Sequence, residues 1–305
     1  MVAKHLHKLL AAFALLALIG AGWAQEPAGD EGSIVLADVG FEGPESVVHY
    51  EAEDVYFVSN VGSNAPGAAD GFISRVSPDG TVLELKWIDG QADGVEMDAP
   101  KGLAIVDGRL YAADYGNVRV FDPATGEQLD SVALPDATFP NGVAPHPEDG
   151  VLVTDTGVGE DFLPVQGAAA VYHVTADGTV SDWIRDEALG LPNGIEHLGG
   201  TEYAVVTFAD PGSVVYLDDG EVTETLTLEE AGNLDGVVQL EGGELLVTSW
   251  TVEAILSVAE DGTVTTVLEG YAGPADMSID SDRQLLLIPL LSANEVHFVP
   301  LGGLQ

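Results

Sequence analysis

Short apolar runs, many alternating with polar residues, recur along almost the whole chain, bounded by Gly, Pro, Asn or Asp. Alternation at period two predicts half-buried strands, and short runs closed off by turn residues are strand-like. After the first 24 residues no segment sustains a helical period, so the class is all-β. The runs fall into units of one shape: a turn with a small residue or proline, an apolar strand, a turn, and a second apolar strand. They read GPESVVHYEAEDVYFVSN from Gly43, APKGLAIVDGRLYAAD from Ala99 and FPNGVAPHPEDGVLVTD from Phe139. LPNGIEHLGGTEYAVVTF from Leu191, NLDGVVQLEGGELLVTSW from Asn233 and GPADMSIDSDRQLLLIPL from Gly273 follow. The residue after the proline (after Leu234 in the fifth unit) is Glu45, Lys101, Asn141, Asn193, Asp235 and Ala275, at spacings of 56, 40, 52, 42 and 40. A period of roughly 40–50 residues predicts one four-stranded blade per unit, hence a six-bladed β-propeller.

The second half of each unit repeats as well. Asp79-Gly80-Thr81-Val82, Asp177-Gly178-Thr179-Val180 and Asp261-Gly262-Thr263-Val264 are one tetrapeptide, with variants at Asp219-Gly220-Glu221-Val222 and Thr125-Gly126-Glu127. Asp-Gly between apolar runs marks the hairpin from a third strand to a fourth, because glycine takes positive φ without a Cβ clash. After Ala275 the chain has room for three strands, around Asp276–Ile279, Gln284–Ile288 and Glu295–Pro300. The unassigned run Ser33–Asp38 is expected to supply the fourth, outer strand of the last blade and so close the ring.

The N-terminus changes the picture of compartment. Lys4, His5, His7 and Lys8 precede an apolar run from Leu9 to Ile19, and Gly22 and Ala24 offer small residues for cleavage. Residues 1–24 are therefore expected to be a signal peptide and residues 25–32 a loose tail, with the propeller over 33–305. A membrane anchor is the alternative, but the apolar run is shorter than the roughly 20 residues a spanning helix needs. The expected location is secreted or periplasmic, with no later membrane insertion.

Charge and composition then narrow the partners. The chain carries 9 Lys+Arg against 51 Asp+Glu, a formal charge of −42, and Lys86 and Lys101 are its only lysines beyond residue 24. Nucleic acid and anionic membrane surfaces are poor partners for such a field. A carboxylate surface nearly free of lysine fits a salty environment, or simple solubility. Disorder is excluded by the 46% hydrophobic content and the regular strand pattern. With no cysteine there is no thiolate mechanism.

In a propeller the innermost strands line a central channel. If the first strand of each unit is the inner one, Glu45, Lys101, Asn141, Asn193, Asp235 and Ala275 form a ring at one mouth. Four carry side-chain oxygens, two as carboxylates and two as amides. That is the donor set of a hard divalent cation, Ca²⁺ foremost, with water completing the shell; zinc or copper would call for His or Cys. Singly, Asn141, Asn193 and Asp235 read as turn formers before glycine. Glu45 argues for a shared metal site, since Glu is not a favoured turn residue yet holds the same aligned position.

These motifs, Gly43-Pro44-Glu45, Pro140-Asn141-Gly142, Pro192-Asn193-Gly194 and Leu234-Asp235-Gly236, resemble the gluconolactonase / senescence-marker-protein family, related to paraoxonases and the squid-type diisopropylfluorophosphatase. The resemblance runs from about Gly43 to the end. It implies a six-bladed propeller with a catalytic Ca²⁺ or other divalent ion in the channel, hydrolysing a lactone or related ester. It makes Glu45, Asn193 and Asp235 metal ligands and Asp235 also the general base. It makes Asn141 a residue beside the metal that contacts substrate, or a ligand in the phosphotriesterase branch, an activity the same site would permit.

Lys101 departs from the pattern, because a cation in the ring opposes a bound metal. It can lie along the channel wall and pair with an acid, contact a substrate carboxylate or hydroxyl, or face the ion. Ala275 leaves the sixth blade without a ligand, and Asp276 beside it is either a further carboxylate behind the ring or a turn residue. Tyr115 and Trp250, at the ends of second strands, are weak substrate-contact candidates, with packing between blades as the alternative. Asn60, Asp114, Asp155 and Ser249 are expected to satisfy turn backbone, and His146 and His197 to lie on the surface. There is no G-x-S-x-G elbow for serine hydrolysis. Loops Gly62–Asp70 and Gly157–Ala168 are expected to carry specificity. A non-catalytic binding or scaffold propeller, with a structural ion or none, is the alternative to the hydrolase.

Overall fold

Alternating residues of each blade face its two neighbours, and this builds the core as six slabs between blades. In blade one, Tyr56 and Val58 pack on the sixth blade, whereas Val55 and Phe57 pack on the second. The computed structural model describes residues 32–159 and 161–304. The signal peptide and the tail up to residue 31 lie outside the described residues. The sheets are six, each of four antiparallel strands.

Blade one runs Pro44–Tyr50, Val55–Asn60, Phe72–Val76 and Val82–Asp89 from channel to rim. Inner strands of neighbouring blades touch one another, and the fourth strands, at the rim, are largely exposed or half-buried. The sixth blade is composite: Ser278–Asp280, Leu285–Leu290 and Glu295–Pro300 are completed by Ile34–Leu36, with Ile34 opposite Phe298 and Leu36 opposite Val296. The expected closure by the N-terminal strand is thus present. The innermost strand of that blade begins two residues later than expected. Ala275 instead donates its N–H to Pro289 O within the blade, and Asp276 donates its N–H to Glu45 O, joining the blade to its neighbour.

The Asp-Gly hairpins take two forms. At Asp219-Gly220 both residues have positive φ (48° and 77°), the two-residue turn. At Asp79-Gly80 only the glycine does (85°), and Asp79 Oδ1 accepts from the Thr81 N–H at 3.1 Å, extending the loop. Among the described residues no helix is long and apolar enough to cross a membrane.

Candidate functional site

Four of the ring positions are β-bulges. The ladder between first and second strand slips between Pro44 and Val47, Pro140 and Val143, Pro192 and Ile195, and Leu234 and Val237. The two residues in each gap, Glu45-Ser46, Asn141-Gly142, Asn193-Gly194 and Asp235-Gly236, leave the ladder. A bulge re-aims its side chain, and here it places Glu45, Asn141, Asn193 and Asp235 on the channel. None of the four is in a turn, so the turn-forming alternative does not describe them.

The backbone freed by the bulges is satisfied from the second strands. Ser59, Thr154 and Thr248 hydroxyls accept the N–H groups of Ser46, Gly142 and Gly236 at 2.8, 2.8 and 2.6 Å. The next residue along anchors the segment that leads into the ring. Asp155 accepts from the Thr138 N–H (2.9 Å), the Thr138 hydroxyl (3.1 Å) and the Phe139 N–H (2.7 Å). Asp114 does the same for Asp98 and Ala99 and pairs with Arg119, Asn60 holds Glu42, and the Ser249 hydroxyl donates to Gly232 O. These residues satisfy backbone as expected, and in doing so they fix where the ring side chains stand.

The ring floors a cavity of about 470 Å³, lined by Glu45, Lys101, Asn141, Asn193 and Asp235 together. Trp250 also lines it. Ala275 is fully buried and takes no part, and Tyr115 stands one layer back. A larger cavity of about 630 Å³ occupies the opposite mouth, lined by later residues of the same inner strands. The chemistry points to the smaller one. Glu45 Oε2, Asn193 Oδ1 and Asp235 Oδ1 are buried there with no hydrogen-bond partner. Leaving a buried acceptor unpaired costs about 1–3 kcal/mol, and more for a charged one.

The electrostatics follow from that crowding. Burial, then the charges of Asp235 and Asp276, push the Glu45 carboxyl well above its ordinary range, and Lys101 opposes them. Burial and Asp276 raise Asp235 likewise, against a nearby Trp250 indole N–H that lacks hydrogen-bond alignment. Asp276 is no turn residue. Its Oδ2 accepts from the Ser46 hydroxyl at 2.7 Å, its backbone bridges Ser46, and burial raises its carboxyl to about 7 against that hydrogen bond.

Lys101 lies along the wall. Its Nζ donates to Ala99 O at 3.2 Å and sits 4.3 Å from the Tyr115 ring centre and 4.4 Å from that of Phe139. The acid pairing expected of it is not formed among the described residues; two aromatic faces take that place. Burial lowers its ammonium to about 8, despite Glu45, Asp114 and Asp98. Loops Gly62–Asp70 and Gly157–Ala168 contribute Asn64, and Val158 and Phe162, to the lining. His146 stacks on His173 at 4.1 Å and His197 bonds to Gly200 O; both are half-buried, and neither lines the cavity.

Among the described residues no three His, Asp or Glu side chains form a metal cluster. The floor offers two carboxylates and two amides instead, and the three orphaned oxygens fit a hard cation, which takes carboxylate and amide oxygens with water.

No protein-family model and no curated protein sequence matches the chain. Solved structures do. A gluconolactonase from Xanthomonas campestris superposes with a TM-score of 0.67 at 17% identity, over 91% of this chain and 95% of that one. A virginiamycin B lyase from Staphylococcus aureus superposes at 0.62 and 12% identity, over 87% and 98%. The likeness is one of fold, and proteins named for different reactions share it. The chain has the six-bladed propeller of gluconolactonase-type structures.

Proposed function

We propose that this chain is an exported, divalent-metal-dependent hydrolase of lactones or related esters. The observation that carries the reading is the set of orphaned buried oxygens of Glu45, Asn193 and Asp235 on one substrate-sized cavity. Glu45, Asn193 and Asp235 would hold the ion, Ca²⁺ foremost, with Asn141 beside them. When bound, such an ion polarises a carbonyl and lowers the pKa of water.

The protein groups do the rest. The Asn141 amide N–H donates to Thr156 Oγ1 at 3.4 Å, which leaves the amide oxygen for the substrate or the ion. Asp235 would be the base, placed to accept a proton from the attacking water, with its basicity lowered by the ion it helps to hold. The burial and neighbouring charge that raise the Glu45 carboxyl, and the burial that raises that of Asp276, would be offset by the ion, and the aromatic walls would shield the floor from bulk water.

The test is turnover of a lactone and ester panel with Ca²⁺, with chelator, and after Asp235→Ala. Metal-dependent hydrolysis that falls about 100-fold or more in the variant, with the circular dichroism of the fold unchanged, is expected. If no panel member turns over while Ca²⁺ still raises the melting temperature, the ion is structural and the chain is a binding or scaffold propeller.

A further inference from the structure

Above its polar floor the cavity is apolar. Phe139 and Phe162 meet edge-on at 5.7 Å, Phe208 and Trp250 meet edge-on at 5.3 Å, and Val61 and Leu191 also line the wall. Of the polar groups in and just behind the wall several are engaged, while the Trp250 indole N–H has no hydrogen-bond partner. The Tyr115 hydroxyl donates to Asn64 O at 2.9 Å and Oδ1 at 3.1 Å, Thr156 Oγ1 binds Asn141, and Lys101 is taken by Ala99 O and its two rings.

The rim continues this character. Phe162 is 59% exposed and holds φ at +57°, a conformation disfavoured for a bulky side chain. Strain of this kind concentrates at ligand clamps. Leu163 and Val165 on the same loop are likewise exposed, at 62% and 43%.

A polyhydroxylated ring needs a partner for each hydroxyl it buries, and beyond the Trp250 indole N–H and the amides of Asn64 and Asn233 these walls offer few. We propose that the site takes lactones or esters carrying an alkyl or aryl substituent, not sugar lactones. The carbonyl would meet the polar floor, and the substituent would run along the aromatic wall to Phe162. The inference rests on the hydrolase reading for the reacting group, and on the wall alone for the substituent.

The experiment separates the two. Calorimetric titration of the chelator-treated protein with δ-decalactone and with D-glucono-δ-lactone measures binding without turnover. Each buried methylene is worth a roughly fourfold gain, so δ-decalactone is expected to bind at least about tenfold tighter. Phe162→Ser, at an exposed position where the fold should persist, is expected to weaken δ-decalactone about tenfold and leave the sugar lactone unchanged. Equal or tighter binding of the sugar lactone, or no effect of Phe162→Ser, overturns the proposal. Absence of Ca²⁺-dependent hydrolysis of either compound would instead overturn the hydrolase reading and leave the binding preference to decide this one.

Discussion

Gly142 and Gly236 each sit where an inner strand meets the next blade, and neither adopts positive φ. Their role is closeness. A Cβ on Gly142 would stand 2.6 Å from Asn193 O, and one on Gly236 the same distance from Ala275 O. The residue after each ring position must therefore lack a side chain, or, as with Ser46 and Asp276, bond to its opposite number. Gly142→Ala is expected to cost about 2–3 kcal/mol in urea denaturation, as overpacking does. A loss below the error of the measurement would show that the blades are not in contact there. The Asn-Gly and Asp-Gly pairs were legible in the sequence as an aligned ring, yet the same dipeptides also read as turns. Only Glu45 separated the readings. The hydroxyls of Ser59, Thr154 and Thr248 were not legible, because their partners lie 12 or 13 residues away across a bulged hairpin whose register local pattern does not set.

The blade is the element that turns such residues into a site. Its second strand ends in a side chain that ties down the approach to the first, as Asp155 does with Thr138, Phe139 and, at 3.2 Å, the Gly157 N–H. Asp155→Ala strands these donors in a buried setting and is expected to lower stability by about 3 kcal/mol, with Asp155→Asn recovering part of it. Equal effects of the two variants would place the role in charge, not in acceptance of the backbone. The strands, their order and the composite sixth blade were all legible, because half-buried strands alternate and the Asp-Gly hairpins recur. The cavity walls were legible only in outline. Phe139 and Phe162 meet through a loop and a turn, and no periodicity relates them.

At the scale of the whole molecule, a formal charge of −42 surrounds a floor that itself gathers carboxylates. Surface acids attract cations diffusely and are screened within roughly 8 Å at physiological ionic strength. A buried set of unpaired oxygens binds an ion at fixed stoichiometry instead. The two are told apart by one measurement: calorimetric titration of chelator-treated protein with Ca²⁺ in screening salt, wild type against Asp235→Asn. The account predicts one saturable site in the wild type that is missing from the variant, while the variant keeps its melting temperature without metal. Superimposable isotherms for the two proteins would contradict it, and the ring of Glu45, Asn141, Asn193 and Asp235 would then not be a metal site.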